Sequence, residues 1–178
     1  IFSDYTEESM DNFDAVLQNY GVERTDGIVI EGDSQHYAQM PYYLVPTVNS
    51  TDAISNFASK GYYVLMPYAQ GIKKTDSVRD TVTINSLLTS SDSAYSKVDV
   101  NSGTIDKTDD DIDGPFDLGV SITETLDDDK ETQIVYYTSS NLMESQINQM
   151  VSGGNEQMIM SSLNWMCSND ETSTISVP

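Results

Sequence analysis

The stretch Gln133-Ile134-Val135-Tyr136-Tyr137 contains two β-branched and two aromatic residues among its five. That composition is typical of a buried β-strand. Small polar residues follow at once, from Thr138 to Asn141, and a second apolar segment ends at Cys167. The sequence therefore predicts a strand, then a polar tip, then a closing helix.

The closing helix is predicted from the spacing of its apolar residues. Asn155 can cap its N-terminus, and Glu156 then lies in the first turn, where the helix dipole favours negative charge. Its predicted apolar stripe consists of Met158, Ile159, Leu163 and Met166. In an α/β domain, ligands usually bind at the tip that follows a strand. The candidate ligand site is therefore Ser139, Ser140 and Asn141 together with Gly153, Gly154 and Asn155.

Working outward, helical and extended patterns interleave along the rest of the chain. A helix is predicted for residues 6–20, and short strands for residues 27–32, 62–66 and 116–123 and within residues 78–88. This interleaving favours one α/β domain over residues 1–178, with a tail at 172–178. We predict a three-layer sandwich of the flavodoxin or Rossmann type, with a mostly parallel or mixed sheet and Gln133–Tyr137 near its centre.

Composition excludes some classes of function. The chain has 178 residues with 8 basic and 29 acidic side chains, a formal net charge of -21. Such a surface repels nucleic acid, so no nucleic-acid partner is expected. The single cysteine, Cys167, cannot form an internal disulfide. The chain begins at Ile1-Phe2 without a methionine, which favours an excised soluble fragment of a longer protein.

Four stretches in order resemble the extracytoplasmic domain of the gliding-motility-type ABC-transporter auxiliary proteins. They are residues 12–17 with Tyr20-Gly21-Val22, residues 86–91, residues 113–120, and the C-terminal set Ile134 to Ser140, Gly153-Gly154-Asn155 and Leu163-Asn164-Trp165. Together these stretches span most of the chain.

The resemblance implies a non-enzymatic auxiliary or ligand-sensing domain of a bacterial ABC-type transport system. It implies an extracytoplasmic location, a membrane anchor flanking this segment, and ABC-transporter membrane subunits as partners. The ligand would be a small molecule or a glycan, bound at the strand tip. The ATPase would be another chain, because no G-x-x-x-x-G-K-[ST] motif occurs here.

An acidic segment offers an alternative function. Asp109, Asp111 and Asp113 alternate before Gly114, as in the opening of an EF-hand calcium loop. The position that should carry the bidentate Glu is Val120, however, so a solvated acidic loop is favoured over a metal site. No cofactor is expected, apart from weak calcium binding in a surface or adhesion module.

A second alternative is a hydrolase- or amidotransferase-like enzyme, or a degenerate relative of one. It would need His36, the only histidine, beside Ser139, Ser140 or Cys167. No G-x-S-x-G elbow is present, so no catalytic residue is assigned.

Tyrosine pairs occur at 42–43, 62–63 and 136–137. They either form part of a binding surface or, the favoured interpretation, direct one ring of each pair towards the core and the other towards a covering helix. We also predict that Trp165 and Cys167 are largely buried on the closing helix.

Overall fold

The computed structural model describes residues 1–76, 78–126 and 130–167, and short strands outnumber helices within these ranges. The helices are α1 (Asp11–Asn19), α2 (Ser55–Ala58), α3 (Ser145–Met150) and α4 (Gly154–Cys167). The strands are β1 (Val22–Arg24), β2 (Ile28–Ile30), β3 (Tyr43–Leu44), β4 (Thr47–Val48), β5 (Met66–Pro67), β6 (Ile72–Lys74), β7 (Val82–Thr89), β8 (Tyr95–Lys97), β9 (Ile112–Asp113), β10 (Asp117–Thr125) and β11 (Glu131–Tyr137). Two 3₁₀ turns, Asp52–Ile54 and Asn141–Met143, lead into α2 and α3.

The main sheet is antiparallel, so the predicted parallel flavodoxin- or Rossmann-type sandwich is wrong. Its order is β1-β6-β10-β7-β4, and β11 pairs with β10. Parallel neighbours need a crossover of a dozen or more residues, usually a helix. Here no helix occurs among the residues described between β6 and β11. Two smaller sheets, β2-β8-β9 and β3-β5, are also antiparallel.

The central strand is β10, and the prediction that Gln133–Tyr137 lies at the centre of the sheet is wrong. β10 pairs with β7 along one edge, and with β11 and the end of β6 along the other. The outer edge of β11 is covered only near its end. There the isolated parallel bridge between Phe2 and Tyr137 adds the N-terminal residues.

A pair of bulges divides the apolar side chains of the sheet between two clusters. The register between β10 and β7 shifts on both sides of Gly119, so that Leu118 and Leu87 each lack a direct partner across the ladder. Both are buried in a cluster with Tyr137 and with Met158 of α4.

The second cluster lies on the opposite face of the sheet. It contains Val120, Ile122 and Tyr136, together with Leu17 of α1. Because neighbouring strand residues point to opposite faces, Tyr136 and Tyr137 separate the two clusters within β11. α1 and α4 therefore cover opposite faces of the sheet.

The closing helix forms as predicted, but its buried stripe is different. Asn155, Met158 and Ser162 are buried, whereas Leu163 is 44% exposed. Trp165 is only half-buried and packs against the cluster that contains Tyr137 and Met158. The prediction that Trp165 is largely buried is therefore wrong. Within the described ranges, no helix is both long and apolar enough to cross a membrane.

Candidate functional site

The polar tip after β11 bonds to the rest of the fold. Ser139 is fully buried, and its hydroxyl donates to the carbonyl of Pro67 at 2.5 Å. The hydroxyl and the backbone N–H of Ser140 both donate to the carboxylate of Asp4, at 2.6 and 2.7 Å. Asn141 begins the 3₁₀ turn that leads towards α3. The tip therefore anchors β11 to the N-terminal segment and to β5.

The glycine pair turns the chain sharply into α4. Gly153 has a φ of 86°, in the left-handed region that favours glycine, and the space around its missing side chain is open. Gly154 opens α4 and packs closely on the backbone, because a Cβ there would lie 2.1 Å from the carbonyl oxygen of Tyr63. Gly154 is therefore a packing residue.

Asn155 lies inside the first turn of α4, so its predicted role as the helix cap is wrong. Its side chain is buried and reaches outside the helix. The Oδ1 atom accepts a hydrogen bond from the N–H of Leu65 at 2.9 Å. The Nδ2 atom donates to the carbonyls of Leu65 and Leu142 at 2.9 and 2.8 Å. Ser139 and Asn155 thus meet at the segment Leu65–Pro67, where both bond to backbone atoms.

The three alternating aspartates do not converge. Asp111 accepts hydrogen bonds at about 3 Å from Lys97, from the N–H of Val98 and from the N–H and hydroxyl of Thr108. Asp113 pairs with Lys107, and Asp109 is exposed. In the described ranges, no group of three histidine, cysteine, aspartate or glutamate side chains could hold a metal ion.

The ion pair between Lys97 and Asp111 is the buried anchor of this acidic segment. Their side chains are only 3% and 1% exposed, and Lys97 also donates to the carbonyl of Asp106 at 2.8 Å. Burial alone would raise the pKa of Asp111. The hydrogen bonds from Thr108, Val98 and Lys97 outweigh it and lower the pKa from 3.8 to about 2. Asp111 therefore holds the acidic segment to β8.

His36 and Cys167, which the hydrolase-like alternative would use, do not have the surroundings of a catalytic pair. The backbone N–H of His36 donates to the backbone carbonyl of Asp33, and the backbone carbonyl of His36 accepts from the N–H of Val45. The Nδ1 atom of His36 is buried without a hydrogen-bond partner among the described residues. Cys167 is exposed at the end of α4, so the expectation that it is packed is wrong.

A partly exposed group of tyrosines lies at the two-stranded sheet formed by β3 and β5. The rings of Tyr42 and Tyr68 stack with centroids 4.9 Å apart, and Tyr43 meets both edge-on, at 5.5 and 5.8 Å. Burial raises the pKa of Tyr68, and the neighbouring phenols of Tyr43 and Tyr42 raise it further. Tyr68 is nevertheless 41% exposed. We call these three residues the tyrosine cluster.

The backbone at Tyr68 is strained. Its φ is 54°, a conformation that costs a non-glycine residue roughly 1–2 kcal/mol. The backbone N–H of Tyr68 donates to the backbone carbonyl of Tyr42 at 2.9 Å, which holds Tyr68 in this conformation. Gln39, in the preceding loop, also has a positive φ, of 65°. Strain of this kind concentrates at binding sites, where the surrounding structure maintains it.

The three tyrosine pairs have different environments. Tyr136 and Tyr137 are both buried, one on each face of the sheet. Tyr62 and Tyr63 are 40% and 71% exposed, so the favoured interpretation of one core ring per pair is wrong for them. Sequence reasoning missed Tyr68 because it belongs to no pair. The available signal was its position directly after Pro67, which ends a strand.

A cavity near the N-terminus has about 560 Å³ and is lined mainly by polar and acidic side chains. Its one arginine, Arg24, donates to both carboxylate oxygens of Asp14, at 2.8 and 3.0 Å, and to Gln70 at 3.1 Å. Its guanidinium also lies 5.8 Å from the ring centre of Phe13. Arg24 therefore fixes α1 to the sheet.

Comparison with known proteins supports the fold alone. No known family model and no curated protein matches this sequence. A solved structure described as "mmIFT52 N-terminal domain" is similar, with a TM-score of 0.56 and 12% sequence identity over 90% of this chain. The chain spans 60% of the length of that structure. At this identity the similarity concerns architecture: this chain has a fold similar to that of the mmIFT52 N-terminal domain.

Proposed function

We propose that this chain is a non-enzymatic auxiliary or ligand-sensing domain of an ABC-type transport system, extracytoplasmic and anchored to a bacterial cell membrane. Support comes from the four sequence stretches that resemble the auxiliary family. The partners are the membrane subunits of the transporter, and ATP hydrolysis belongs to another chain.

The observation that carries a ligand-recognition role is the strained, exposed Tyr68 in the tyrosine cluster. Its ring is 41% exposed and stacks on Tyr42, while its backbone keeps a costly conformation. Aromatic rings with a polar hydroxyl bind partly apolar, partly polar ligands. We therefore place the small-molecule or glycan site at the tyrosine cluster rather than at the strand tip, where Ser139 and Asn155 bond to the backbone.

The ligand site is tested with defined probes on the whole chain. Isothermal titration calorimetry would use a panel of neutral mono- and disaccharides, amino acids and quaternary ammonium compounds. We expect at least one class to bind, and Tyr68→Gly to abolish that binding. The Tyr68→Gly variant should keep its stability within about 1 kcal/mol, because relief of the backbone strain offsets the lost ring contact.

Tyr63→Ala is the matched control, since Tyr63 is 71% exposed and lies outside the tyrosine cluster. Binding should survive this change. Unchanged binding in Tyr68→Gly would exclude the tyrosine cluster as the site. Absence of binding across the panel would count against ligand sensing.

The non-enzymatic part of the proposal has a separate test. Generic ester and amide substrates are incubated with the native chain and with His36→Ala. We expect no turnover above background in either sample. Turnover that is lost in His36→Ala would instead favour the hydrolase-like alternative.

A further inference from the structure

We propose that the outer face of α4 is a docking site for an amphipathic helix of another protein, apolar along one side and basic along its flanks. We call this region the α4 surface. It consists of Met143, Met160, Leu163 and Tyr62 and the grooves between them. This inference does not depend on the tyrosine cluster.

The apolar side chains of the α4 surface are exposed although the helix is fully packed on its other side. Met143 is 51% exposed, Met160 48%, Leu163 44% and Tyr62 40%. On the inner side of α4, Met158 is completely buried in the core cluster. α4 therefore presents a second apolar stripe that the other described residues leave exposed, and such a stripe is typical of an interaction site.

Two grooves flank α4 and meet at Met160. One cavity of about 280 Å³ lies towards α2 and is lined by Phe57 and Tyr62. Another of about 270 Å³ lies towards the 3₁₀ turn before α3 and is lined by Met143. Met160 lines both cavities, so it forms the ridge between them. A partner helix that lies along one groove would contact residues at helical spacing, as in other helix-in-groove complexes.

The α4 surface is nearly free of charge in a highly charged protein. Charged residues form 21% of the chain, which corresponds to roughly three in a helix of fourteen residues, but α4 contains only Glu156. Among the residues that line the two grooves, the charged ones are Lys60 and Glu156. Depletion of charge with enrichment of methionine and tyrosine is the signature of an interface core. Methionine side chains also adapt to different partner surfaces.

Charge complementarity indicates which partner fits. Two exposed carboxylates adjoin the region: Glu156 lines one groove, and Glu144 directly follows Met143 in the chain. The other groove contains the amine of Lys60. With a net charge of -21, the chain repels a second copy of itself and anionic lipids. A helix with basic flanks is attracted by the same field and can place its apolar side on Met160.

The test uses Cys167 as a reporter. It is the only cysteine, it is exposed, and it follows Asn164 by three residues on α4. An environment-sensitive fluorophore attached there reports occupancy of the surface in the whole chain. Three 18-residue peptides serve as probes: an amphipathic leucine–lysine helix, a leucine–glutamate counterpart, and a scrambled leucine–lysine peptide of the same composition.

We expect saturable binding of the amphipathic leucine–lysine helix. The leucine–glutamate and scrambled peptides should bind more than about tenfold more weakly. Met160→Asp should weaken binding by at least about tenfold, as for a central contact residue. Because this change adds negative charge, it would strengthen a purely electrostatic interaction. Ile105→Asp, at a residue that is 40% exposed on the acidic segment, is the matched control and should leave binding unchanged.

Several results would overturn the proposal. Equal binding of the scrambled peptide would show that charge alone attracts the probe. Equal binding by Met160→Asp, with a native circular dichroism spectrum, would place the contact elsewhere. Dimerisation of the free chain that Met160→Asp abolishes, measured by sedimentation, would make a second copy the occupant. Fluorophore burial on phosphatidylglycerol vesicles would make a membrane the occupant.

Discussion

The side-chain amide of Asn155 bonds to both backbone polar atoms of Leu65, at 2.9 Å each, across a sequence separation of 90 residues. A third bond, to the carbonyl of Leu142, joins α4 to the preceding 3₁₀ turn. One buried amide thus provides hydrogen-bond partners for three backbone groups. These groups come from two segments that form no β-ladder at Leu65 and Leu142. Asn155 is a structural link between α4 and the segment before β5.

We expect Asn155→Ala to lower the free energy of unfolding by about 3 kcal/mol, because three buried backbone groups lose their partner. Urea denaturation followed by circular dichroism measures the change. Gln157→Ala, at an exposed position of the same helix, is the control and should cost less than about 0.5 kcal/mol. Equal effects of the two substitutions would contradict the structural role of Asn155.

The hydroxyls of Tyr137 and Ser162 form a buried pair 2.7 Å apart, between β11 and α4. Ser162→Ala should destabilise by about 1–3 kcal/mol, because it leaves the Tyr137 hydroxyl buried without this partner. Tyr137→Phe combined with Ser162→Ala should cost less than the sum of the two single changes. Additive effects in this double-mutant cycle, measured by urea denaturation, would show that the pair does not interact.

The buried carboxyl of Asp111 makes a prediction about acid stability. Its pKa in the folded chain is about 2, below the ordinary value of 3.8. A lowered folded-state pKa stabilises the native state above the unfolded value, and the stabilisation is lost as pH falls through the folded value. The Asp111 group should therefore contribute about 2 kcal/mol near pH 5, most of which disappears by pH 2.

An NMR titration of the Asp111 carboxyl carbon measures this pKa directly. A value near 3.8 would show that the ionised form gains nothing from the hydrogen bonds of Thr108, Val98 and Lys97. Replacement of Lys97 by methionine should destabilise by about 3–5 kcal/mol at neutral pH, because it leaves a buried carboxylate without its partner.

Calcium should have only a small effect on stability. Asp111 already accepts several hydrogen bonds, and Asp113 pairs with Lys107. Any residual site should have a Kd of about 10⁻⁴–10⁻³ M. At 1 mM calcium such a site stabilises by about 0.4–1.4 kcal/mol, a few degrees in melting temperature. A shift above about 10 °C between calcium and a chelator, lost in Asp109→Asn, would favour the calcium-dependent module.

The local elements were more predictable than their arrangement. The alternation of apolar residues indicated β10, and helical spacing indicated α1 and α4. The pattern of apolar residues could not give the direction of the strands. A short buried strand such as residues 133–137 has the same composition in a parallel and in an antiparallel sheet. The order of elements suggested crossover helices, but β10 and β11 are joined by the short connection 126–130.

The structural roles of Ser139 and Asn155 could not be predicted from the sequence for a related reason. A serine or asparagine after a strand has the same sequence signature whether it faces a ligand or satisfies a distant backbone group. Asn155 and Ser139 bond to residues 90 and 72 positions away, and such partners are invisible to local spacing. The helical stripe was also misplaced, because the buried Ser162 pairs with Tyr137 whereas Leu163 faces outward.

The proposed role of this chain in an ABC-type transport system is tested by identifying the proteins that contact it in the membrane. An affinity-tagged form of the protein is isolated from membranes of its source organism after chemical crosslinking, and the recovered chains are identified by mass spectrometry. We predict enrichment of an ABC-type ATPase and its membrane subunit over an untagged control. Recovery of the protein without either subunit would contradict it.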